Sequence, residues 1–98
     1  MITGKQRAAL RTMSNAIETI FQIGKGGIGE NLIKQVDDAL NARELIKLCV
    51  LETCELTARE ACETVCAATA AEPVQTIGRR FTIYRESRDP DKRKIVLQ

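Results

Sequence analysis

Apolar residues near the amino terminus recur at spacings of three and four, which predicts a helix with one buried face. The residues of this stripe are Leu10, Met13, Ala16, Ile17 and Ile20. Thr3 followed by Gln6 is a capping-box pattern, so the helix is expected to begin there. The basic residues of the same segment fall off the stripe and are expected to point into solvent: Lys5, Arg7 and Arg11.

The next segments alternate between strand-like and helix-like patterns. β-Branched and aromatic residues at 19–23 predict a short strand, and the glycine-rich segment 24–27 ends it sharply. A second helical stripe predicts a helix over residues 29–41. Its N-cap position is Ile28 or Gly29, so we expect no strong side-chain cap.

The longest apolar run of the chain, residues 44–51, predicts a central strand covered on much of both faces. The segment 57–60 is a second capping box and starts a third helix that reaches about Ala71. Pro73 is expected to end the helical region.

The last third of the chain predicts a hairpin and a tail. Residues 74–77 and 80–85 read as two strands around a tight turn at Gly78. The polar segment 86–94 is expected to be flexible, and 95–97 is a candidate short edge strand or packs on the body.

Helices that alternate with strands and end in a hairpin predict an α/β (α+β) two-layer sandwich with a four-stranded mixed sheet. The chain of 98 residues suits one modest core. We expect residues 1–85 to form a single domain and residues 86–98 a basic carboxyl-terminal tail.

The residue types that are missing exclude whole classes of function. The chain has no His and no Trp, which removes the commonest general base and the commonest zinc ligand. No acid-base pair or partnered nucleophile stands out, so we expect no enzyme, no cofactor and no small-molecule substrate. No apolar run approaches the ~20 residues that span a bilayer, and the first residues lack a signal peptide's apolar region, so a cytoplasmic protein without a membrane partner is expected.

Charge is unevenly distributed along the chain. Residues 1–25 carry a net charge of +3, residues 26–78 of −5, and residues 79–98 of +4. If the fold brings the two ends together, they form a basic patch suited to a polyanion; otherwise they are solvated surfaces and a charged tail. The basic residues of the predicted hairpin are Arg79, Arg80 and Arg85.

The main candidate site is Gly24-Lys25-Gly26-Gly27, between a predicted strand and a predicted helix. Glycines let a backbone approach a ligand closely, and a helix start offers free N–H groups and partial positive charge to phosphate. A GXXG loop clamps the nucleic-acid backbone in this way in KH domains. A plain tight connection between strand and helix is the other interpretation.

The four cysteines are unlike a metal site in their spacing, and no His accompanies them: Cys49, Cys54, Cys62 and Cys66. We expect them to be buried as small hydrophobes. A metal or thiol switch is a weaker hypothesis, and a disulfide is not expected in the cytosol.

Short motifs spread over nearly the whole chain resemble the CRM domain family (chloroplast RNA splicing and ribosome maturation), and specifically its small bacterial members called YhbY-like. The matching segments are 3–7 with Leu10, 22–27, 44–47, 59–61, 74–75, 77–79, 84–85 and 92–95. The chain departs from the family pattern at Gly29, where a Ser or Thr often stands, and in its four cysteines.

The resemblance implies a fold similar to the C-terminal domain of bacterial translation initiation factor three. It also implies RNA binding, with ribosomal RNA in precursors of the large ribosomal subunit as the partner. The family's GXXG loop corresponds to Gly24, Lys25, Gly26 and Gly27, and the flanking basic residues carry over less securely. The alternative function is a protein-interaction adaptor whose basic tail docks on an acidic protein.

Overall fold

The computed structural model describes residues 2–97, so residues 1 and 98 of the predicted domain and tail lie outside the described range. Three helices and four strands follow one another in the predicted order, and a single 3-10 turn, Pro90–Lys92, comes after them. The helices are α1 (Gly4–Ser14), α2 (Glu30–Arg43) and α3 (Ala58–Thr69). The strands are β1 (Thr19–Ile23), β2 (Leu45–Val50), β3 (Glu72–Ile77) and β4 (Arg80–Tyr84).

Both predicted capping boxes are confirmed. The Thr3 hydroxyl accepts from the Gln6 backbone N–H at 3.1 Å, and the Gln6 side chain accepts from the Thr3 N–H at 2.9 Å. Thr57 and Glu60 exchange the same pair of bonds at the start of α3. Gly29 is the N-cap of α2 and makes no side-chain capping bond, as its sequence predicts.

The sheet is mixed and four-stranded, as predicted, with the order β1-β2-β4-β3. β1 pairs parallel with β2, whereas β4 pairs antiparallel with both β2 and β3. β2 and β4 are therefore the inner strands. Ile23, Val50 and Arg80 lie at one end of the sheet, which we call the loop end; Leu45 and Tyr84 lie at the other end.

Helices α2 and α3 cover one face of the sheet, and α1 lies on the other face. The main core between the sheet and the helices α2 and α3 includes Val36, Leu48, Val65 and Phe81. A smaller cluster under α1 consists of Leu10, Leu45, Val74 and Tyr84. Residues on opposite faces of β2 and β4 thus enter two different clusters.

The first helix is shorter than its apolar stripe predicts. It ends at Ser14, and the prediction that Met13 and Ala16 are buried is wrong: Met13 is 37% exposed and Ala16 is exposed. The face toward the sheet is formed by Leu10 and Ser14, one turn apart. The Ser14 hydroxyl lies 2.7 Å from the Thr82 hydroxyl, so a polar contact ends the packing of α1 on the sheet.

Pro73 does not end the helical region. α3 ends at Thr69, and Ala70 closes it in the left-handed conformation with φ +60°. Pro73 instead belongs to β3, an edge strand, where its missing N–H costs no ladder bond.

The candidate edge strand at 95–97 is wrong, because these residues are not in the sheet. The alternative, packing on the body, is correct: Ile95 and Leu97 pack against the cluster under α1. The backbone N–H groups of Lys94 and Ile95 also donate to the Glu44 carboxylate at 2.6 and 3.0 Å. The tail is therefore tied to the domain.

Candidate nucleic-acid interface

The glycine loop is a tight turn at the loop end of the sheet. The Gly27 N–H donates to the Gly24 carbonyl at 3.0 Å, and Gly27 has φ +69°. The Leu51 N–H donates to the Ile23 carbonyl at 2.8 Å, which fixes the strand that enters the turn. Gly27 suits this turn because a left-handed backbone is strained for other residues.

The glycines of the loop differ in how far the fold requires them. A side chain at Gly24 would meet Leu51 and Thr53 at ordinary contact distances of 3.5 and 3.6 Å. A side chain at Gly26 would meet nothing within 4 Å, and the backbone there is not left-handed. Gly26 is exposed beside exposed Lys25, so its bare backbone faces solvent rather than another part of the protein.

The start of α2 adds donors to this loop. Because Gly29 supplies no side-chain cap, the first backbone N–H groups of the helix keep no side-chain acceptor. They and the helix dipole favour an anion. Glu30 in the first turn opposes this preference with a negative charge.

The β3–β4 turn lies at the same end of the sheet. The Arg79 carbonyl accepts from the Val50 N–H at 2.7 Å, and Gly78 has φ +59°. Arg79 pairs with Glu52 at 3.6 Å, both side chains being largely exposed, and Arg80 is exposed. The fold therefore brings the loop lysine and two hairpin arginines to one end of the sheet.

The basic residues of α1 lie elsewhere. Arg7 Nε donates to the Pro73 carbonyl at 3.1 Å, and Arg11 Nε donates to the Val74 carbonyl at 3.3 Å. Arg7 also lies 3.8 Å from the Glu72 carboxylate, so the expectation that it points freely into solvent is wrong. Lys5 is exposed. Arg7 and Arg11 line the β3 edge toward the end of the sheet away from the loop.

Arg85, a candidate contact residue, is buried in the domain. Its side chain is 8% exposed, and Nη1 donates to Asp37 Oδ1 at 2.6 Å and to the Thr69 carbonyl at 2.8 Å. Nη2 donates to Asn41 Oδ1 at 2.9 Å. A guanidinium held in this way supports α2 and α3 and does not reach the surface.

Lys47 was missed as a site residue by sequence reasoning. It projects from β2 onto the face that carries α1, beyond the end of that helix, and its ammonium donates to the Ile17 carbonyl at 3.2 Å. Gln22 of β1 is exposed and lies in register with the neighbouring Cys49. The sequence feature that could have indicated this residue is a single charged side chain, Lys47, inside an otherwise apolar strand.

The cysteines carry no metal-site geometry. All four are free, and within residues 2–97 no group of three or more His, Cys, Asp or Glu side chains is placed to hold a metal ion. Cys62 and Cys66 are buried as expected, whereas Cys49 and Cys54 are only partly buried. The hydrogen bond with Cys62 together with burial raises the pKa of the Cys66 thiol.

None of the helices in this described range has the length and apolarity to cross a membrane.

Comparison with known proteins places the chain in a family. The profile of the CRS1 / YhbY (CRM) domain matches residues 2–85. The Bacillus subtilis (strain 168) protein named "Probable RNA-binding protein YqeI" is 44% identical over 89 residues, covering 91% of this chain and 93% of that protein. A Haemophilus influenzae protein named "RNA-binding protein" is 28% identical over 88 residues, covering 90% of this chain and 89% of that protein.

A solved structure agrees in fold and in sequence. The solution structure of the Staphylococcus aureus protein SAV1595 superposes with a TM-score of 0.78 at 49% identity, over 98% of this chain and 100% of that one. Its three-helix, four-stranded α+β architecture is therefore shared with this protein. The chain belongs to the CRS1 / YhbY (CRM) domain family.

Proposed function

We propose that this protein binds RNA by holding backbone phosphates at the loop end of its sheet. The residues assigned to phosphate are Lys25, Arg79 and Arg80, with the bare backbone of the glycine loop beside them. The unit responsible is the domain 1–85, and residues 86–97 include segments that pack on it. The mechanism is binding without catalysis, and the RNA-binding names of the relatives support it.

The observation that carries this proposal is the environment of Gly26. Gly26 lies at the exposed tip of the loop, where a side chain would contact no other part of the protein. Its backbone is not left-handed. The fold itself thus gives no reason for glycine. Close approach of a ligand to the backbone gives such a reason.

Gly26→Ala is expected to leave the thermal midpoint unchanged within error and to weaken RNA binding about fivefold, since the new methyl group meets only the ligand. Melting curves and fluorescence anisotropy with an RNA hairpin measure the two effects. Gly78→Ala is the contrasting variant: its φ of +59° predicts lower stability. Unchanged RNA affinity in Gly26→Ala would remove the loop tip from the site.

Lys25→Glu is expected to weaken all RNAs about equally, by roughly tenfold, because a phosphate contact carries charge but no base information. The same measurement on Lys92→Glu gives a matched control. Lys92 is exposed in the 3-10 turn of the tail, away from the loop end. Equal losses in the two variants would show a general charge effect and contradict a local site.

We further propose that the cellular RNA is ribosomal RNA in precursors of the large subunit, and that the protein is a cytoplasmic ribosome assembly factor. The resemblance to YhbY-like proteins supports this assignment. Gradient sedimentation of lysate at low salt tests it: the protein should travel with free large subunits or their precursors and leave them in high salt. Migration in an RNase-resistant complex would contradict it and favour the adaptor function.

Part of the tail's basic charge is already paired, which makes the tail a weaker docking element for an acidic protein partner. Arg93 lies 3.3 Å from Glu86, and Arg88 lies 3.6 Å from Asp37. Two basic side chains of the tail are thus already paired, Arg88 with the domain and Arg93 within the tail itself.

A further inference from the structure

Half of one face of the sheet has no helix over it. α1 begins near the edge of β3 at Pro73 and ends at Ser14, opposite Thr82 in the middle of β4. The face beyond that point, toward the loop end, is what we call the open half-sheet. It is formed by Gln22, Lys47, Cys49, Gln75, Ile77 and Arg80.

Strand alternation places these side chains together. Leu45 of β2 packs under α1, so Lys47 and Cys49, two and four residues further on, lie on the same face. In β4, alternation likewise places Thr82 and Arg80 on the same face as Tyr84, which packs under α1. Two shallow hollows on this face share Lys47 and Arg80 in their walls.

The open half-sheet is cationic on its inner strands and carries amide side chains on its two edge strands. The Lys47 ammonium uses one donor on the Ile17 carbonyl, and an ammonium has three. Arg80 forms no ion pair within residues 2–97. Glu18 lines one of the two hollows and places a negative charge beside Lys47 and Arg80.

The open half-sheet carries no aromatic ring, which decides what kind of RNA fits it. The chain's three aromatic residues lie elsewhere: Phe21 and Phe81 face the main core, and Tyr84 lies in the cluster under α1. Unpaired bases are recognised by stacking on aromatic rings, whereas helical RNA is recognised through its phosphates and 2′-hydroxyls. Ammonium, guanidinium and amide groups suit the second mode.

The open half-sheet is continuous with the phosphate site. Gln22 lies two residues before Gly24, and Arg80 directly follows the turn that carries Arg79. The open half-sheet and the glycine loop therefore adjoin each other at the loop end.

We propose that the open half-sheet binds the ribose-phosphate backbone of a helical RNA segment, with Lys47 and Arg80 at phosphates and Gln22 and Gln75 at ribose 2′-hydroxyls. This inference rests on the proposed RNA-binding function and adds a second contact surface to it. It also fixes the class of ligand as paired rather than unstacked RNA. Glu18 limits the affinity of this surface.

The test uses two opposite substitutions on the full chain. Lys47→Gln should weaken binding of an RNA hairpin with a fully paired stem about fivefold and reduce the salt dependence by about one phosphate contact. Glu18→Gln should tighten binding about twofold, because it removes a repulsive charge beside the phosphates. Lys92→Gln is the matched control and should change neither.

The outcomes separate this inference from the proposed function. Weaker hairpin binding in Lys47→Gln, tighter binding in Glu18→Gln and a smaller effect on an unpaired oligouridine support the open half-sheet. If circular dichroism shows that Lys47→Gln does not fold, the test rests on Glu18→Gln alone, because Glu18 is exposed. Unchanged hairpin affinity of Glu18→Gln then overturns the inference. If Lys47→Gln and Glu18→Gln both bind the hairpin with unchanged affinity while Lys25→Glu binds it more weakly, the open half-sheet is overturned and the loop site stands. No hairpin binding by the unmodified protein overturns both proposals.

Discussion

Arg85→Ala is expected to lower the free energy of unfolding by about 3 kcal/mol, the low end of the cost of breaking a buried ion pair. The side chain is 8% exposed, and the Asp37 side chain that it pairs with is 31% exposed. Loss of the guanidinium leaves the Thr69 and Asp37 carbonyls and the Asn41 side chain without this donor. Urea denaturation measures the change, which is large against a typical domain stability of about 5–15 kcal/mol.

Arg85→Lys separates charge from geometry at the same position. Lysine keeps the positive charge but loses the planar fork that reaches several acceptors at once, so a smaller loss of stability is expected. RNA affinity should be unchanged in the fraction of either variant that is folded, because Arg85 is buried. An Arg85→Ala protein as stable as the parent, with weakened RNA binding, would contradict the structural role.

Glu44→Gln is expected to cost about 2 kcal/mol, since hydrogen bonds to a charged group contribute about 1.5–3 kcal/mol. The Glu44 carboxylate is fully buried and accepts from the backbone N–H groups of Ser87, Lys94 and Ile95 at 2.6–3.0 Å. A glutamine amide turns donors toward at least one of these N–H groups. The tail should then detach, and limited trypsin digestion should cut faster at its Lys and Arg residues.

The pH dependence of stability has a definite sign at Glu44. Burial alone raises the pKa of this carboxyl, but the N–H groups of Ile95, Lys94 and Ser87, aided by the charge of Arg93, together bring it below its ordinary value of 4.5. A depressed pKa in the folded state stabilises the fold above about pH 4.5 and loses that effect as pH falls through the lower folded value. The parent should therefore lose more stability on acidification than Glu44→Gln; parallel curves would contradict this.

The sequence predicted the order of elements well because local signals set it. Two capping boxes, two glycine turns and an apolar central strand each act within a few residues. The errors lie where tertiary contacts decide. The hydroxyl of Ser14, the last residue of α1, packs against that of Thr82, 68 residues further along the chain. The tail is held by Glu44, a residue at φ +66° that accepts from backbone donors more than forty residues away.

The candidate site was predictable only in part, for a similar reason. The glycine loop is a local motif, and pairing of β4 with β2 brings Arg79 and Arg80 to the same end of the sheet. Arg85 follows them in the same run, but strand alternation turns it toward α2 and α3. Lys47 is hidden in an apolar run, and only the short span of α1 leaves it uncovered.

Binding of an RNA hairpin to the unmodified protein as a function of salt concentration tests the central claim most directly. Phosphate contacts release counterions, so the logarithm of affinity should fall linearly with the logarithm of salt. Three contacts, at Lys25, Arg79 and Arg80, predict a slope of about −2 to −3, and the open half-sheet would make it steeper. A slope near zero, or no binding at low salt, would contradict RNA recognition through the backbone.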